Sequence, residues 1–273
     1  MKTWLITGCS TGIGRGIAKA VLQSGDQAVV TARDVSTLRA FAEKYPDTCL
    51  TLPLDLTDWT SMDTAVRKAV ARFGRIDVLV NNAGYGCRAA IEESEDGEIA
   101  RLFETNLFGP VKLINLCLPQ MRENRRGVII NVSSIGAVRA AVGNGFYSAS
   151  KASLELVSDA LAKEAAHLGI KVITVEPGAF RTAFYGSLHG TERKLADYDE
   201  SMGFMRLENL VDRQDQPGDP DKAGELLVRL ISSGQYPNRL PLGSDAVRII
   251  REELERRLEE VKTWEAYSVQ TDV

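Results

Sequence analysis

The chain has 273 residues, of which 44% are hydrophobic and 26% charged, with a formal net charge of −4 at pH 7. These proportions are typical of globular proteins and exclude a disordered or low-complexity chain. An acidic balance without a basic stripe argues against a nucleic-acid-binding protein. No apolar stretch approaches the roughly 18 residues that predict a membrane span, so we expect no membrane association.

The cysteine and histidine content indicates neither disulfides nor a metal site. Four cysteines lie 30 to 40 residues apart without a CxxC pair: Cys9, Cys49, Cys87 and Cys117. The two histidines are too few for a clustered zinc site. The first residues run directly into a predicted strand and leave no room for a signal peptide. We therefore expect a cytoplasmic protein with reduced thiols and no bound metal.

Short apolar runs alternate with longer amphipathic stretches along the first two thirds of the chain. The predicted strands are Thr3–Thr7, Ala28–Ala32, Leu50–Leu54, Ile76–Asn81, Gly127–Ser133 and Ile170–Glu176. Helical stretches of about 12 to 22 residues are predicted between them. The strands are nearly continuous in Val, Ile and Leu, as expected when both faces of a sheet are covered. This order predicts an α/β fold: a doubly wound, mostly parallel Rossmann-type sheet of about seven strands, with helices on both faces.

The regular alternation stops after Pro177 and Gly178. Residues 183–219 have no clear period, and so long an irregular connection is usually functional or mobile. A helix is predicted at Pro220–Ser232 and a last strand at Arg239–Leu242. Apolar residues at spacings of three or four predict an amphipathic helix over residues 245–264. Since we find no dividing linker and no repeat, we expect a single domain over residues 1–273.

A glycine-rich turn follows the first strand, with Gly8, Gly12 and Gly14 in a GxxxGxG spacing. Glycines permit a tight turn and allow backbone N–H groups to approach a phosphate at the start of a helix. Such glycines can also serve only close packing of the helix on the strand. The position after the first strand favours a dinucleotide site.

Tyr147 and Lys151 are one helical turn apart and can face the same cleft. A phenol normally titrates near pH 10, and a nearby ammonium lowers its pKa, so that it can exchange a proton with an alcohol near neutral pH. A solvated Tyr–Lys pair is the alternative. Ser133 and Ser134 follow a strand, at the edge where ligands of open α/β sheets bind. A serine there can donate a hydrogen bond to a carbonyl oxygen or cap a helix.

Together these motifs resemble the short-chain dehydrogenase/reductase family over residues 1–182. The matching segments are the TGxxxGxG turn, the acid Asp55, the NNAG segment at residues 81–84, the helix asparagine Asn106, the serine Ser134, the YxxxK pair and the PGxxxT stretch at residues 177–182. The catalytic residues that the resemblance implies are Asn106, Ser134, Tyr147 and Lys151. The cofactor-binding residues that it implies are Gly8, Ser10, Thr11, Gly12, Ile13, Gly14, Arg33, Asp55, Leu56, Asn82, Ala83, Gly84, Tyr147, Lys151, Pro177, Gly178 and Thr182.

The resemblance also implies a role for each catalytic residue. Tyr147 is the general acid in reduction and the base in oxidation, while Lys151 lowers the tyrosine pKa and binds the nicotinamide ribose. Ser134 orients the substrate oxygen, and Asn106 holds a backbone kink and a water of the proton relay. The cofactor carries the hydride. Ser133 lies one residue away from the family spacing.

The second strand ends at Ala32, where relatives that use NAD typically have an acid. Arg33 follows, and a guanidinium suits a 2′-phosphate, so the pattern indicates NADP(H). Asp34 lies about 20 residues beyond the last glycine, near the general offset of an NAD-type acid. NAD(H) with a solvated Arg33 is therefore the alternative.

Family members often close the segment after the PGxxxT stretch over the substrate, which predicts a lid over residues 183–219. Its apolar residues either line a pocket or form the core of the lid: Phe184, Tyr185, Leu188, Met202, Phe204 and Met205. Further wall candidates are Val142, Asn144 and Phe146. Segments 82–86 and 173–178 resemble the branch loosely called 17β-hydroxysteroid-dehydrogenase-like, which implies a medium-sized ketone or secondary alcohol as substrate.

The family resemblance further implies a homodimer or homotetramer. Two other functions compete with an alcohol dehydrogenase or carbonyl reductase. A non-catalytic NADP(H)-binding redox sensor would often have a damaged Tyr–Lys pair, which is intact here. A nucleotide-sugar epimerase would usually be longer and differ in its glycine spacing.

Overall fold

The computed structural model describes residues 1–210 and 214–273, and in them a seven-stranded sheet forms the centre of the molecule. Its strands are β1 (Thr3–Ile6), β2 (Gln27–Ala32), β3 (Cys49–Pro53), β4 (Val78–Asn81), β5 (Gly127–Val132), β6 (Ile170–Pro177) and β7 (Arg239–Leu242). The spatial order is β3-β2-β1-β4-β5-β6-β7, and every neighbouring pair is parallel. The predicted Rossmann-type sheet is therefore confirmed.

Helices cover both faces of this sheet. They are α1 (Gly12–Gln23), α2 (Arg39–Lys44), α3 (Trp59–Phe73), α4 (Asp96–Phe103), α5 (Gly109–Glu123), α6 (Ile135–Val138), α7 (Gly145–Ala165), α8 (Asp199–Met202), α9 (Pro220–Ser233) and α10 (Ser244–Ser268). A π-helical turn, Glu104–Phe108, joins α4 to α5. None of the helices in the described ranges has the length and apolar character required to cross a bilayer.

The alternation of side chains along each strand divides the core into two layers. On β1, Trp4 and Ile6 pack with residues of α1 and α9, whereas Leu5 packs on the opposite face with α3 and α5. All three side chains are fully buried. Because both faces of the strands are covered, the strand sequences are apolar throughout rather than alternating.

Several predicted boundaries differ from the structure by one or two residues. The connection between β2 and β3 differs more, because it contains only a 3-10 turn at Val35–Leu38 and the six-residue α2 instead of a long helix. Helix α7 begins at Gly145, two residues before Tyr147, and the C-terminal helix extends from Ser244 to Ser268, beyond both ends of the predicted 245–264.

The predicted lid, residues 183–219, lies within the described residues except for 211–213. It contains short 3-10 turns and α8, and packs against the segment that follows β4. The carboxylate of Glu93 is fully buried there and pairs with Arg206 at 2.9 and 3.2 Å. Leu195 donates its backbone N–H to the same carboxylate at 2.8 Å. A buried ion pair thus fastens the lid to the sheet side of the molecule.

Candidate functional site

A large cleft lies at the carboxyl ends of the strands, where the strand order reverses between β1 and β4. Its volume is about 980 Å³. Open parallel sheets bind ligands at this topological switch point. The predicted site residues that line the cleft are Gly8, Ser10, Thr11, Gly12, Ile13, Arg33, Asp55, Leu56, Asn82, Ala83, Gly84, Ser134, Tyr147, Lys151, Pro177, Gly178 and Thr182.

The cleft has two ends with different linings. The glycine end comprises residues 8–13 and 32–33, and the tyrosine end comprises Ser134, Tyr147 and the lid residues 184–188. The predicted residues Gly14 and Asn106 line neither end. Both lie behind the cleft wall, so any effect of theirs on a ligand acts through the residues in front of them.

The glycine turn at the end of β1 requires a residue without a side chain. Gly12 has a φ of +61°, and a Cβ built there would lie 3.2 Å from the side chain of Thr182. A Cβ on Gly14 would lie 2.3 Å from both the carbonyl oxygen of Gly8 and Nδ2 of Asn82. Gly14 therefore allows α1 to pack tightly against the turn, the close-packing role that the sequence left open.

The first turn of α1 offers unsatisfied backbone donors to the cleft. Thr11, the N-cap residue, makes no side-chain capping hydrogen bond, whereas Asp58 caps α3 and Asp219 caps α9. Free N–H groups at a helix N-terminus form an anion site. The uncapped helix, together with the glycine turn, fits the diphosphate of a dinucleotide.

Asn82 ties the glycine turn to the end of β4. Its Nδ2 donates to the carbonyl oxygens of Thr7 and Gly8 at 2.9 and 3.1 Å. In return, Thr7 Oγ1 accepts the backbone N–H groups of Asn82 and Ala83 at 2.9 and 3.0 Å. The NNAG segment and the glycine turn thus form one hydrogen-bonded unit.

Arg33 and Asp34 face different surroundings after β2. Arg33 is exposed and lines the glycine end. Asp34 does not line the cleft, and its carboxylate accepts the N–H of Ser36 at 2.9 Å, capping the following 3-10 turn. The Ser36 hydroxyl and this N–H together lower the pKa of Asp34. Of the two residues, only Arg33 is placed to meet a ligand in the cleft.

Tyr147 is buried at the tyrosine end, with its phenol close to the side chain of Ser134. Burial raises the pKa of the phenol, while the neighbouring Ser134 hydroxyl and the positive charge of Arg88 lower it. Ser134 also caps α6 by accepting the N–H of Gly136 at 3.0 Å. It therefore serves as the cap that the sequence suggested and also contacts the phenol.

Ser133 is directed away from Tyr147. Its hydroxyl donates to the buried carboxylate of Glu155 at 2.6 Å. That carboxylate also pairs with Arg239. The structure thereby distinguishes the two adjacent serines, because only Ser134 contacts the tyrosine.

Lys151 lies beside the cleft and donates its Nζ to the carbonyl oxygen of Val132 at 2.8 Å. Burial lowers the pKa of Lys151 to about 8, an effect that the negative charge of Glu155 opposes. Lys151 is not among the groups that shift the pKa of Tyr147 here. The cation that does so is Arg88, which the sequence analysis missed.

Asn106 occupies the π-helical turn, as expected for a residue at a backbone kink. Its Oδ1 accepts the N–H of Tyr85 at 3.2 Å. Its Nδ2 donates to the carbonyl oxygen of Tyr85 at 3.0 Å and to Ser150 Oγ at 3.1 Å. Asn106 thus joins the segment after β4 to the catalytic helix from behind the cleft.

The sequence signal for Arg88 was an arginine among small and apolar residues just after the NNAG segment. Of the predicted wall residues, Asn144, Phe184, Tyr185 and Leu188 line the cleft. Val142, Phe146, Met202, Phe204 and Met205 do not. Met202 is buried instead, so part of the lid forms its own core.

Cys9, in the glycine turn, is fully buried, and burial raises the pKa of its thiol to about 12. The thiol therefore stays protonated and fills space, the role expected of a packing residue. Among the described residues, no group of three or more His, Cys, Asp or Glu side chains is arranged to hold a metal ion.

Comparison with known proteins identifies the family. The family model for short chain dehydrogenases matches residues 2–193. A 3-ketodihydrosphingosine reductase from Bacteroides thetaiotaomicron is 35% identical over 240 residues, which cover 88% of this chain and 87% of that protein. The chain belongs to the short-chain dehydrogenase/reductase family and is an oxidoreductase of that family.

Other relatives and solved structures agree. An NADPH-dependent 3-dehydrocapnine reductase from Ornithobacterium rhinotracheale is 33% identical over 230 residues, covering 82% of this chain and 81% of that one. A short-chain dehydrogenase structure from Streptomyces avermitilis is 41% identical, covers both chains completely and has a TM-score of 0.92. An alcohol dehydrogenase from Thermococcus sibiricus, complexed with 5-hydroxy-NADP, is 25% identical, with a TM-score of 0.73 and coverage of 89% and 96%.

Proposed function

We propose that this protein is an NADP(H)-dependent oxidoreductase that interconverts a ketone and a secondary alcohol, with Tyr147 as the general acid and base. The observation that carries the proposal is the position of the buried Tyr147 beside Ser134 in a cleft at the topological switch point. Two hydroxyls held together at this edge form a site for a carbonyl oxygen.

The glycine end supplies the groups for the cofactor. The uncapped N-terminus of α1 would hold the diphosphate, and Arg33 the 2′-phosphate that distinguishes NADP(H) from NAD(H). Asp34 is occupied as a cap and does not offer the acid of an NAD-type site. The NADPH-dependent reductase and the NADP-analogue complex among the relatives support this choice. When bound, the nicotinamide supplies or accepts the hydride.

The residues at the tyrosine end hold and move the proton. Ser134 donates a hydrogen bond to the substrate oxygen, and Tyr147 transfers its hydroxyl proton to that oxygen during reduction. In oxidation the phenolate takes the proton back. A positive charge beside the phenol stabilises the phenolate, a role that Lys151 would fill once its Nζ exchanges the carbonyl oxygen of Val132 for a bound ribose.

The substrate class rests on the shape of the tyrosine end and on the relatives. Phe184, Tyr185 and Leu188 provide an apolar wall for a molecule of medium size. Two relatives are named as reductases of 3-keto or 3-dehydro compounds, which supports a ketone over an aldehyde or a sugar nucleotide. The 17β-hydroxysteroid-dehydrogenase-like branch remains part of this proposal, as do the lid function of residues 183–219 and a homo-oligomeric state.

Replacing Tyr147 with Phe tests the proposal. We expect turnover of a ketone panel with NADPH to fall by about 10³-fold or more, because the proton donor is removed. NADPH binding, followed by fluorescence titration, should persist. Tyr267→Phe, at the exposed end of α10, is the matched control and should behave as wild type. Near-normal turnover in Tyr147→Phe would refute the assignment, and NADPH binding without turnover of any ketone in wild type would support the sensor instead.

A further inference from the structure

Arg88 brings a positive charge to the tyrosine end of the cleft, where the described residues offer it no partner. Its Nε and Nη1 atoms are buried and make no hydrogen bond in the described part of the chain. The same residues provide no carboxylate in an ion pair with it, whereas Arg206, an arginine that is buried as a whole, is paired with Glu93. Burying an unpaired charge is unfavourable, so natural proteins normally pair such groups.

The backbone of Arg88 is held firmly where the lid meets the segment after β4. Its N–H donates to the carbonyl oxygen of His189 at 2.8 Å, beside the bridge between Cys87 and His189. From this position the guanidinium interacts electrostatically with Tyr147 on the catalytic helix and with Tyr185 on the lid. A ligand held by Arg88 would therefore lie close to the reacting oxygen.

The other charged groups of the cleft have separate positions. Among the described residues, the lining contains the cations Arg33, Arg88, Arg101, Arg139 and Lys151, and a single carboxylate, that of Asp55. Arg33 lies at the glycine end, Lys151 is bonded to Val132, and Arg101 pairs with Glu98 at 2.8 Å. Arg139 is exposed, so its charge is already solvated. The cleft is thus strongly positive in a protein whose net charge is −4. Neither the proposed cofactor site nor the proposed proton transfer uses Arg88.

We propose that the substrate is an anionic carbonyl compound whose carboxylate, sulfonate or phosphate is bound by Arg88, a few bonds from the carbonyl that Tyr147 protonates. This inference rests on the proposed function and specifies its substrate class. The planar guanidinium offers paired N–H donors that match the oxygens of such an anion. Binding satisfies the two unpaired nitrogens and compensates the buried charge. It also brings the carbonyl into one orientation relative to Ser134.

The test compares oxo acids with their methyl esters. Straight-chain 3-oxo, 4-oxo and 5-oxo acids, each paired with its methyl ester, are reduced with NADPH by the full-length protein. We expect at least one acid to exceed its ester in kcat/KM by about tenfold or more, the range of a charge-assisted hydrogen bond. Sulfonate and phosphate analogues of the preferred acid then identify the favoured anion.

The variant Arg88→Gln should lose this preference, mainly through a higher KM for the acid, while its turnover of the ester stays within a few-fold of wild type. Arg88→Lys should restore part of the preference. Arg122→Gln, an exposed arginine on α5, makes the same change in net charge far from the cleft and should keep the preference. Thermal unfolding of each variant shows whether it is folded.

Three outcomes would overturn the inference. In the first, wild type has equal kcat/KM for each acid and its ester. In the second, Arg88→Gln is folded but loses activity toward acid and ester by the same factor. In the third, Arg122→Gln loses the preference for the acid as strongly as Arg88→Gln does. In each of these cases ketone reduction itself still occurs and still depends on Tyr147, so the proposed function survives. If wild type reduces no acid, ester or neutral ketone, the proposed function fails and this inference fails with it.

Discussion

The glycine end and the tyrosine end of the cleft are built from different parts of the polypeptide. The glycine end is made largely of main chain: a turn with positive φ at Gly12 and an uncapped helix N-terminus. The tyrosine end is made of side chains from three separate parts of the chain: Arg88 after β4, Tyr147 on α7 and Tyr185 on the lid. Main-chain donors are suited to the part of a ligand that all family members share, whereas side chains are suited to the part that differs from one member to another.

This difference indicates where substitutions will act. At the glycine end a small added group is harmful because the main chain has no room to move. At the tyrosine end the side chains can be exchanged while the sheet remains intact, so changes there should alter substrate choice before stability. Substitutions at either end of the cleft therefore test that division.

Lys151 lies between the two ends, and its burial should make stability depend on pH. The pKa is lowered to about 8 in the folded protein, against 10.5 for a free side chain. Below pH 8 Lys151 is protonated in both states, and the folded protein has to bury the charged ammonium. Between pH 8 and 10.5 Lys151 is neutral in the folded protein but still protonated in the unfolded chain, so the free energy of unfolding rises with pH. Relative to Lys151→Met, wild type should gain about 2–3 kcal/mol between pH 7 and 10. Urea unfolding of both proteins measures this, and parallel profiles would contradict it.

Gly14→Ala tests whether the packing directly behind the glycine end tolerates a methyl group. The new Cβ would lie 2.3 Å from the oxygen of Gly8 and from Asn82 Nδ2, so α1 must shift. We expect a loss of about 1–3 kcal/mol in the free energy of unfolding, as in overpacked cores, with weaker NADPH binding. In the control Gly97→Ala the added Cβ has no neighbour within 4 Å. Equal behaviour of the two variants would exclude the packing explanation.

Arg33→Ala tests cofactor choice at the glycine end. Losing the guanidinium should raise the NADPH Kd about tenfold or more and leave the NADH Kd almost unchanged, because only the 2′-phosphate is affected. Asp34→Ala should leave the Kd values of NADPH and NADH unchanged, since the carboxylate of Asp34 caps a turn outside the cleft. A wild-type preference for NADH, or an unchanged NADPH Kd in Arg33→Ala, would contradict the NADP(H) assignment.

Arg206→Ala tests how the lid supports the tyrosine end. Removing the partner of the buried Glu93 should release residues 191–210, with several-fold faster hydrogen exchange and proteolysis there. Lys194→Ala breaks only an exposed pair with Glu208 and should change neither. If both variants exchange like wild type, the ion pair does not fasten the lid.

Most of the sheet and much of the site could be predicted from local patterns. The strand positions follow from continuous apolar runs, and the β1 turn follows from glycine spacing. The length of α2 was missed because the polar segment 33–48 carries no strong period. Arg88 was missed because a sequence does not show which charged groups will surround an arginine. Only the fold shows that, among the described residues, its Nε and Nη1 have no hydrogen-bond partner.

The order of strands and helices along the chain, the glycine turn and the four-residue spacing of Tyr147 and Lys151 can be read from the sequence, since they depend on neighbours along the chain. Only the fold shows that Ser134 rather than Ser133 lies beside the phenol, and that Glu93 meets Arg206, 113 residues away. Only the fold shows, too, that the described residues leave Arg88 without an ion-pair partner in the cleft. The reason is physical: burial and charge pairing depend on which distant segments come together, and no local spacing encodes that.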